Sequence, residues 1–454
     1  MSTLDRTRPP ESGPIRSFDF PEVDRRRLDN GLDLRVGLMH RLPMVSVNLF
    51  LRAGEDALSE KRAGLAVLTA DSLEGGTEQR SGAELAEALE GIGARISASA
   101  GWEGTTVGLS CLADRLPEAM EILAEVALRS AFPEHEVARA REQQLAAIRQ
   151  RAMDPSALAS DAACARYFAD GVPYARPVAG TAASVTEMSG DALRGYVDAN
   201  YRPETGGLVV VGDVEPGEVK ELAERFFADW SGAPASKGDL DVQPATRDRR
   251  VWIVDRPGSV QSEIRVGHVG VARSTPDYYA LSIANMVLGG MFTSRLNLNL
   301  REANGFTYGV RSRFQFRSSP GPFQVSTAVG NEVTAPAVGE IMAELTRMAE
   351  GGPAPEEVAA ARDYAAGIFG LQLETASQVA TRVSQLVVYG LPDDHYARYR
   401  ERVRAVTTEE SVDAARRHVR PQEAQVVVVG DASVVGPALE ALALGPVSVV
   451  GAGA

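Results

Sequence analysis

An arginine and a tyrosine seven residues apart, Arg301 and Tyr308 (308 − 301 = 7), stand in the stretch NMVLGGMFTSRLNLNLREANGFTYGV that runs from Asn285 to Val310. A guanidinium offers a planar fork of donors and a phenol a single hydroxyl. Together they suit a peptide carbonyl, or the oxyanion that develops from it. The surrounding pattern says how they are positioned. Leu296, Leu300 and Ala303 recur at helical intervals, and Gly305 stands where a helix stops in a left-handed cap. Phe306, Tyr308 and Val310 then alternate with Thr307, Gly309 and Arg311, which predicts a strand over 306–316. Arg301 falls in the last helical turn and Tyr308 on the strand leaving it, so a short reversal brings both to one surface. Gly289, Gly290 and Met291 shape a break between two helical pieces, and Arg295 and Asn299 are further candidates for the same surface. The residues alone also fit a plainer reading: a surface charge, a tyrosine packed on a sheet, and glycines at a close-packing bend.

The chain has 454 residues, too many for one ordinary core, so two or more domains are expected. With 44% apolar and 24% charged residues its make-up is that of a globular protein. A net charge of −14 argues against a general nucleic-acid binder and leaves room for a weak preference for basic peptides. Cys111 and Cys164, each in an apolar setting, read as buried small residues and not as a disulfide or redox pair. The five histidines, His40, His135, His268, His395 and His418, show no paired spacing that would build a metal site. The opening residues are charged and proline-rich with no apolar core of a signal peptide, and no apolar run is long enough to span a bilayer. A cytoplasmic protein without a membrane segment is the expectation.

Along the chain, residues 1–20 read as a disordered arm. Asn30-Gly31 is a hairpin turn signal ahead of strands over 32–38 and 44–51. Helices follow over 64–73 and 82–89, strands over 95–100 and 105–112, and helices over 114–128, 133–151, 156–168 and 190–199. A buried strand over 208–211 closes this part. Residues 231–248 are polar, contain Pro and Gly, and lack periodicity, which marks a linker between domains at 21–230 and 249–454. The second part repeats the order: strands over 250–254 and 263–268, helices through 277–303, strands over 306–316 and 322–329. Helices over 334–349, 355–388 and 408–418 and a strand over 425–429 complete it. Arg202-Pro203 and Gly212-Asp213 in the first part recur as Arg420-Pro421 and Gly430-Asp431, both at one offset (420 − 202 = 431 − 213 = 218). The fold class is therefore α+β: two homologous domains, each a mostly antiparallel sheet packed with helices.

These marks together resemble the pitrilysin and mitochondrial-processing-peptidase (insulinase) family of inverted-motif zinc peptidases. The resemblance rests on Leu28-Asp29-Asn30-Gly31-Leu32, Gly64-Leu65-Ala66, Gly76-Thr77, Pro173-Tyr174 through Gly180-Thr181, Tyr201-Arg202-Pro203 and the LGGMFTSRL segment. It implies paired α+β domains, four of which enclose a chamber for an unfolded peptide. It also implies a His-x-x-Glu-His helix, whose two histidines hold zinc and whose glutamate activates the bound water. Val67 and Asp71 stand in the two histidine places, Ala70 in that of the base, and Ala147 in that of the third ligand, with Ala140 at an accompanying acidic position. No metal site is therefore expected in this chain. The family's zinc-free partners keep an Arg and a Tyr at the spacing of Arg301 and Tyr308. The resemblance thus implies a non-catalytic subunit of a heterodimeric zinc metallopeptidase, facing the zinc of a homologous partner and binding unfolded peptide through Arg301 and Tyr308. Two other readings stay open: a non-enzymatic scaffold in a larger complex, and a peptide-binding protein that does not cut.

Overall fold

The computed structural model describes residue 13 and residues 18–232 and 240–451, and contains two six-stranded sheets. The first comprises β1 (Val23–Arg27), β2 (Asp33–Leu38), β3 (Met44–Leu51), β4 (Arg95–Ala100), β5 (Thr105–Leu112) and β6 (Gly207–Gly212), in the order β1-β2-β6-β3-β5-β4. The second comprises β7 (Arg250–Asp255), β8 (Gln261–Val269), β9 (Val310–Phe314), β10 (Pro322–Gly330), β11 (Gln425–Gly430) and β12 (Val447–Gly451), in the order β12-β7-β11-β8-β10-β9. Five strands match one for one. β2 and β6 are parallel, as are β7 and β11, and the remaining neighbours in each set are antiparallel. The sixth strand differs: β1 pairs antiparallel with β2, whereas β12 pairs parallel with β7. This is the α+β class expected from the sequence. The offset of 218 extends over a continuous block, since the helix Gly190–Asn200 and β6 recur as the helix Thr408–His418 and β11 (408 − 190 = 425 − 207 = 218).

The two valine runs, LVVV in β6 and VVVV in β11, are buried on both faces. Alternation sends the side chains of each strand into two different cores. Leu208 and Val210 enter the core that the first sheet forms with its own helices, and Val426 and Val428 do the same in the second. Val209 and Val211 point the other way, onto Val379, Ala380, Val383 and Leu386 of the helix Ala376–Tyr389, which belongs to the later part of the chain. Val427 and Val429 meet Ala159, Ala163 and Tyr167 of the helix Pro155–Tyr167, which belongs to the earlier part. Each sheet is thus covered by a helix from the other half. Polar ties fix the exchange: Arg265 on β8 donates to the Ser156 carbonyl at 2.9 Å, and Arg52 donates to the Val388 carbonyl at 2.6 Å.

Two expectations are corrected. The helix expected over 355–388 is two helices, Pro355–Leu371 and Ala376–Tyr389. Thr375 caps the second by accepting from the Gln378 amide, and the break lets this piece cross to the first sheet. The strand expected over 306–316 begins only at Val310, because residues 304–309 form a loop that closes the preceding helix. Most of the expected arm (1–12 and 14–17) lies outside the described residues, but Phe18 and Phe20 pack on Phe369 and Tyr396. Of the expected linker, 233–239 lies outside the described residues. Leu240 and Val242 pack beside the Pro155–Tyr167 helix, where the Ala245 amide donates to the Tyr167 carbonyl at 3.0 Å. No helix among the described residues is long and apolar enough to cross a membrane.

Leu386→Ala tests the exchange. It removes a side chain that is 1% exposed and should cost about 2–5 kcal/mol in denaturant unfolding, within one transition shared by both halves. Two separated transitions, with only the later half weakened, would contradict the interlocked arrangement.

Candidate functional site

A groove of about 930 Å³ opens beside β9. Its floor includes Arg311, Arg313, Gln324 and Ser326, and its wall includes Gly289, Gly290, Met291, Phe292 and Tyr308. The wall begins where the helix Tyr278–Asn285 widens into a π-helical turn, Met286–Gly290, a distortion common at functional sites. Gly289 has a steric reason. A Cβ there would lie 2.6 Å from both the amide nitrogen and Oγ of Ser312, so only glycine lets the helix end approach β9 this closely. Asn285 completes the junction: its Nδ2 donates to the Ser312 carbonyl at 3.1 Å, and its Oδ1 accepts from the Ser312 hydroxyl at 2.8 Å.

The chain then runs through a short helix, Arg295–Asn297, into a second π-helical segment, Leu298–Ala303, that carries Arg301. Gly305 closes it with φ +65°, and the Phe306 amide reaches back to the Leu300 carbonyl at 2.8 Å. Arg301 therefore sits in the last turn, as the spacing predicts. Its guanidinium lies 4.3 Å from the centroid of the Phe292 ring, with Glu302 at 3.5 Å. Tyr308 is placed differently from expectation. It rides on the loop ahead of β9, fully exposed at 100%, with its side chain free to meet a ligand. Thr327 tethers that loop, donating to Thr307 Oγ1 or the Gly309 carbonyl, each at 3.0 Å.

One residue that the sequence reading did not single out holds this region together. Asn297 is buried, and its Nδ2 lies within donating distance of the Met291 carbonyl (3.1 Å), Ser294 Oγ (3.1 Å) and the Val310 carbonyl (2.9 Å). Its Oδ1 accepts from the Val310 amide at 3.1 Å. The amide thus joins the glycine-rich wall to the start of β9, on either side of the Arg301 and Tyr308 segment. The signal available in the sequence was a polar residue interrupting the leucines of LNLNL. Phe292, 68% exposed and stacked by Arg301, was also missed. Arg295 and Asn299 are engaged elsewhere: Arg295 pairs with Glu357 at 2.5 Å, and Asn299 donates to Glu340 and Glu344 at 2.8 and 3.0 Å.

The positions that the resemblance assigns to the metal motif lie mostly on the helix Leu65–Ser72, which packs against the helix Glu134–Met153. The framework is well made. Buried Glu55 accepts from the amides of Gly64 (2.9 Å) and Ala66 (2.8 Å) at the helix start, and Gln144 donates to the Gly64 carbonyl at 3.1 Å. Burial raises the Glu55 carboxyl pKa, and these amide donors oppose the shift. Val67 is half-buried, Ala70 buried, and Asp71 and Ala147 exposed, with Ala140 buried on the facing helix. Neither valine nor alanine has a lone pair, so the residues at these positions do not fit a zinc ion. Although both side chains reach solvent, partial desolvation by the surrounding protein raises the carboxyl pKa of Asp71 and that of nearby Glu74, where the Asp71 charge adds to the rise. No group of three His, Cys, Asp or Glu among the described residues could hold a metal.

The histidines are engaged one by one. His268 is buried between the Val269 carbonyl (2.8 Å) and the Arg420 amide (3.1 Å), and burial lowers its pKa to about 3. His395 accepts from Arg273 at 2.9 Å, His418 and His40 pair with Asp277 and Asp213, and His135 is exposed beside Glu136. Cys111 and Cys164 are free thiols whose pKa burial raises to about 12 and about 11.

Comparison with known proteins covers both halves of the chain. Residues 39–181 match the insulinase (peptidase family M16) model, and residues 187–365 match the peptidase M16 inactive domain. A zinc protease of Mycobacterium tuberculosis is 27% identical over 417 residues, covering 89% of this chain and 92% of that protein. A zinc protease of Bacillus subtilis is 23% identical over 308 residues, covering 68% and 74%. Among solved structures, a peptidase M16 inactive domain from Pseudomonas fluorescens superposes with a TM-score of 0.84 at 25% identity, covering 90% of this chain and 98% of that one. A protease from Helicobacter pylori gives 0.83 at 18% identity, covering 90% and 100%, and so shares the fold.

Asn297→Ala should lower stability by about 1–3 kcal/mol and release the Val310 amide to rapid hydrogen exchange, while amides in β6 keep their relative protection. Unchanged protection at Val310 would contradict the clasp assigned to Asn297.

Proposed function

The chain belongs to the insulinase family, peptidase family M16, and from that premise we propose that it is the zinc-free subunit of a two-chain peptidase. One contrast carries the reading. The framework around the helix Leu65–Ser72 is intact while Val67, Asp71 and Ala147 stand at the places of the ligands and Ala70 at that of the base, yet Tyr308 is fully exposed on a tethered loop and half-buried Arg301 is oriented by Phe292. A chain kept only for its shape has no need of a fully exposed tyrosine on a tethered loop. In this reading the domains 21–230 and 249–454, joined through 231–248, form one half of a chamber.

A homologous partner with the complete His-x-x-Glu-His motif supplies the hydrolytic chemistry, and this chain supplies binding. The Tyr308 hydroxyl donates to a carbonyl oxygen of the peptide. Arg301, oriented by its stack on Phe292, offers its fork to a neighbouring carbonyl. Gly289 lets the helix end close on β9, and that contact sets the position of the groove's wall. Preorganised donors of this kind act most strongly on the charge that develops during attack, so their removal slows turnover more than it weakens assembly.

Tyr308→Phe removes only the hydroxyl of an exposed residue. In the assembled pair it should lower kcat about 100-fold while the size of the complex is unchanged. Full activity of the variant complex would refute the role given to Tyr308.

A further inference from the structure

We infer that the groove beside β9 selects extended polypeptide segments rich in carboxylates, a substrate class opposite to the one that the chain's overall charge favours. This inference rests on the peptide-binding reading above and adds the sign of the charge. The charged residues lining the groove are Arg311 and Arg313, and no Asp or Glu lines it. That is notable in a chain where Asp and Glu outnumber Lys and Arg by 61 to 47. Along β9 these arginines are exposed and alternate with buried Val310, Ser312 and Phe314, so both stand on one face of the sheet.

Their neighbours leave the charge uncompensated. Arg311 lies opposite Ser326, and Arg313 opposite Gln324, in the β9–β10 register. Those two neutral side chains bond to each other, Gln324 Nε2 donating to Ser326 Oγ at 2.9 Å. Among the described residues no carboxylate pairs with Arg311 or Arg313. Two strands away in the same row, Arg265 on β8 has its own carboxylate, Glu263 at 2.9 Å. The groove is rimmed by Tyr308, Phe292 and Tyr364, which offer apolar and ring surface to the stems of bound side chains.

The spacing defines the ligand. Arg311 and Arg313 are two strand residues apart, roughly 7 Å. An extended peptide repeats its same-face side chains at that distance, so glutamates at alternate positions meet both guanidinia at once. Edge-on pairing with β9 is not the mode, because Asn285 and Asn297 already hold the outer polar groups of Ser312 and Val310. The peptide lies across the exposed face instead, with charge matching as its selector. Arginines beside aromatic rings also suit single-stranded nucleic acid. The net charge of −14 opposes that ligand, and it enters the test as a competitor.

The full-length chain is titrated with three short, blocked, unstructured peptides that carry Glu, Gln or Lys at every second position, by fluorescence anisotropy at low salt. The Glu peptide should bind roughly 2- to 30-fold more tightly than the Gln peptide, with Lys weakest, and the preference should shrink as salt rises. The R311Q/R313Q double variant should bind Glu and Gln peptides alike. Equal binding of Glu and Gln peptides to the unmodified chain overturns the charge preference while leaving peptide binding in place. Binding of none of the three overturns both. Tighter binding of a single-stranded oligonucleotide than of the Glu peptide also overturns the inference, and persistence of the Glu preference in the double variant places the selecting charge elsewhere.

Discussion

The crossing of two helices between two sheets is the interaction on which the rest of this structure depends. β6 and β11 are valine runs with two apolar faces, and a sheet with two apolar faces must be covered twice. Each half builds one cover from its own helices and receives the other from its counterpart. Neither half can therefore complete its burial alone, and the duplicated units become one interlocked body. A repeat joined only by a flexible linker would not need Val209, Val211, Val427 and Val429 on the second face.

With the sheets held in this way, the site at β9 is a local problem of joining a helix to a strand edge. Gly289 removes the side chain that would block contact, and Asn285 and Asn297 satisfy backbone groups that an edge strand leaves unpaired. The same residues thus protect the edge from unwanted pairing and fix the wall of the groove. At the corresponding place in the first half, Glu55 and Gln144 hold the helix start equally firmly, although the positions that would carry ligands hold hydrocarbon and one lone aspartate. The framework there is complete, and the residues at those positions do not fit a zinc ion. The sense of the whole chain lies in that asymmetry between its halves.

Much of this could be read from residue order. The 218-residue offset and the valine runs are properties of local sequence, and the strand and helix periods followed from burial on one face or two. The position of Arg301 was legible because Leu296, Leu300 and Gly305 mark a helix and its end. Tyr308 was misplaced because Phe306, Tyr308 and Val310 alternate like a strand, while the backbone is spent on closing the helix and tying to Thr327. Asn297 and Phe292 were not legible, since their roles depend on groups brought together by folding. The helix exchange was hidden for the same reason: periodicity shows that a face is apolar without showing which helix covers it. The sign of the groove's charge was obscured by an average over the whole chain, which is acidic where the groove is basic.

The most direct test of the account is peptidase activity of this chain alone, of a homologous chain with the full His-x-x-Glu-His motif alone, and of their mixture, with zinc content measured for each. The account predicts strong hydrolysis only in the mixture, with zinc confined to the motif-bearing chain and both chains in one complex by size. Stoichiometric zinc and hydrolysis in this chain alone, or a mixture no more active than the motif-bearing chain, would contradict it.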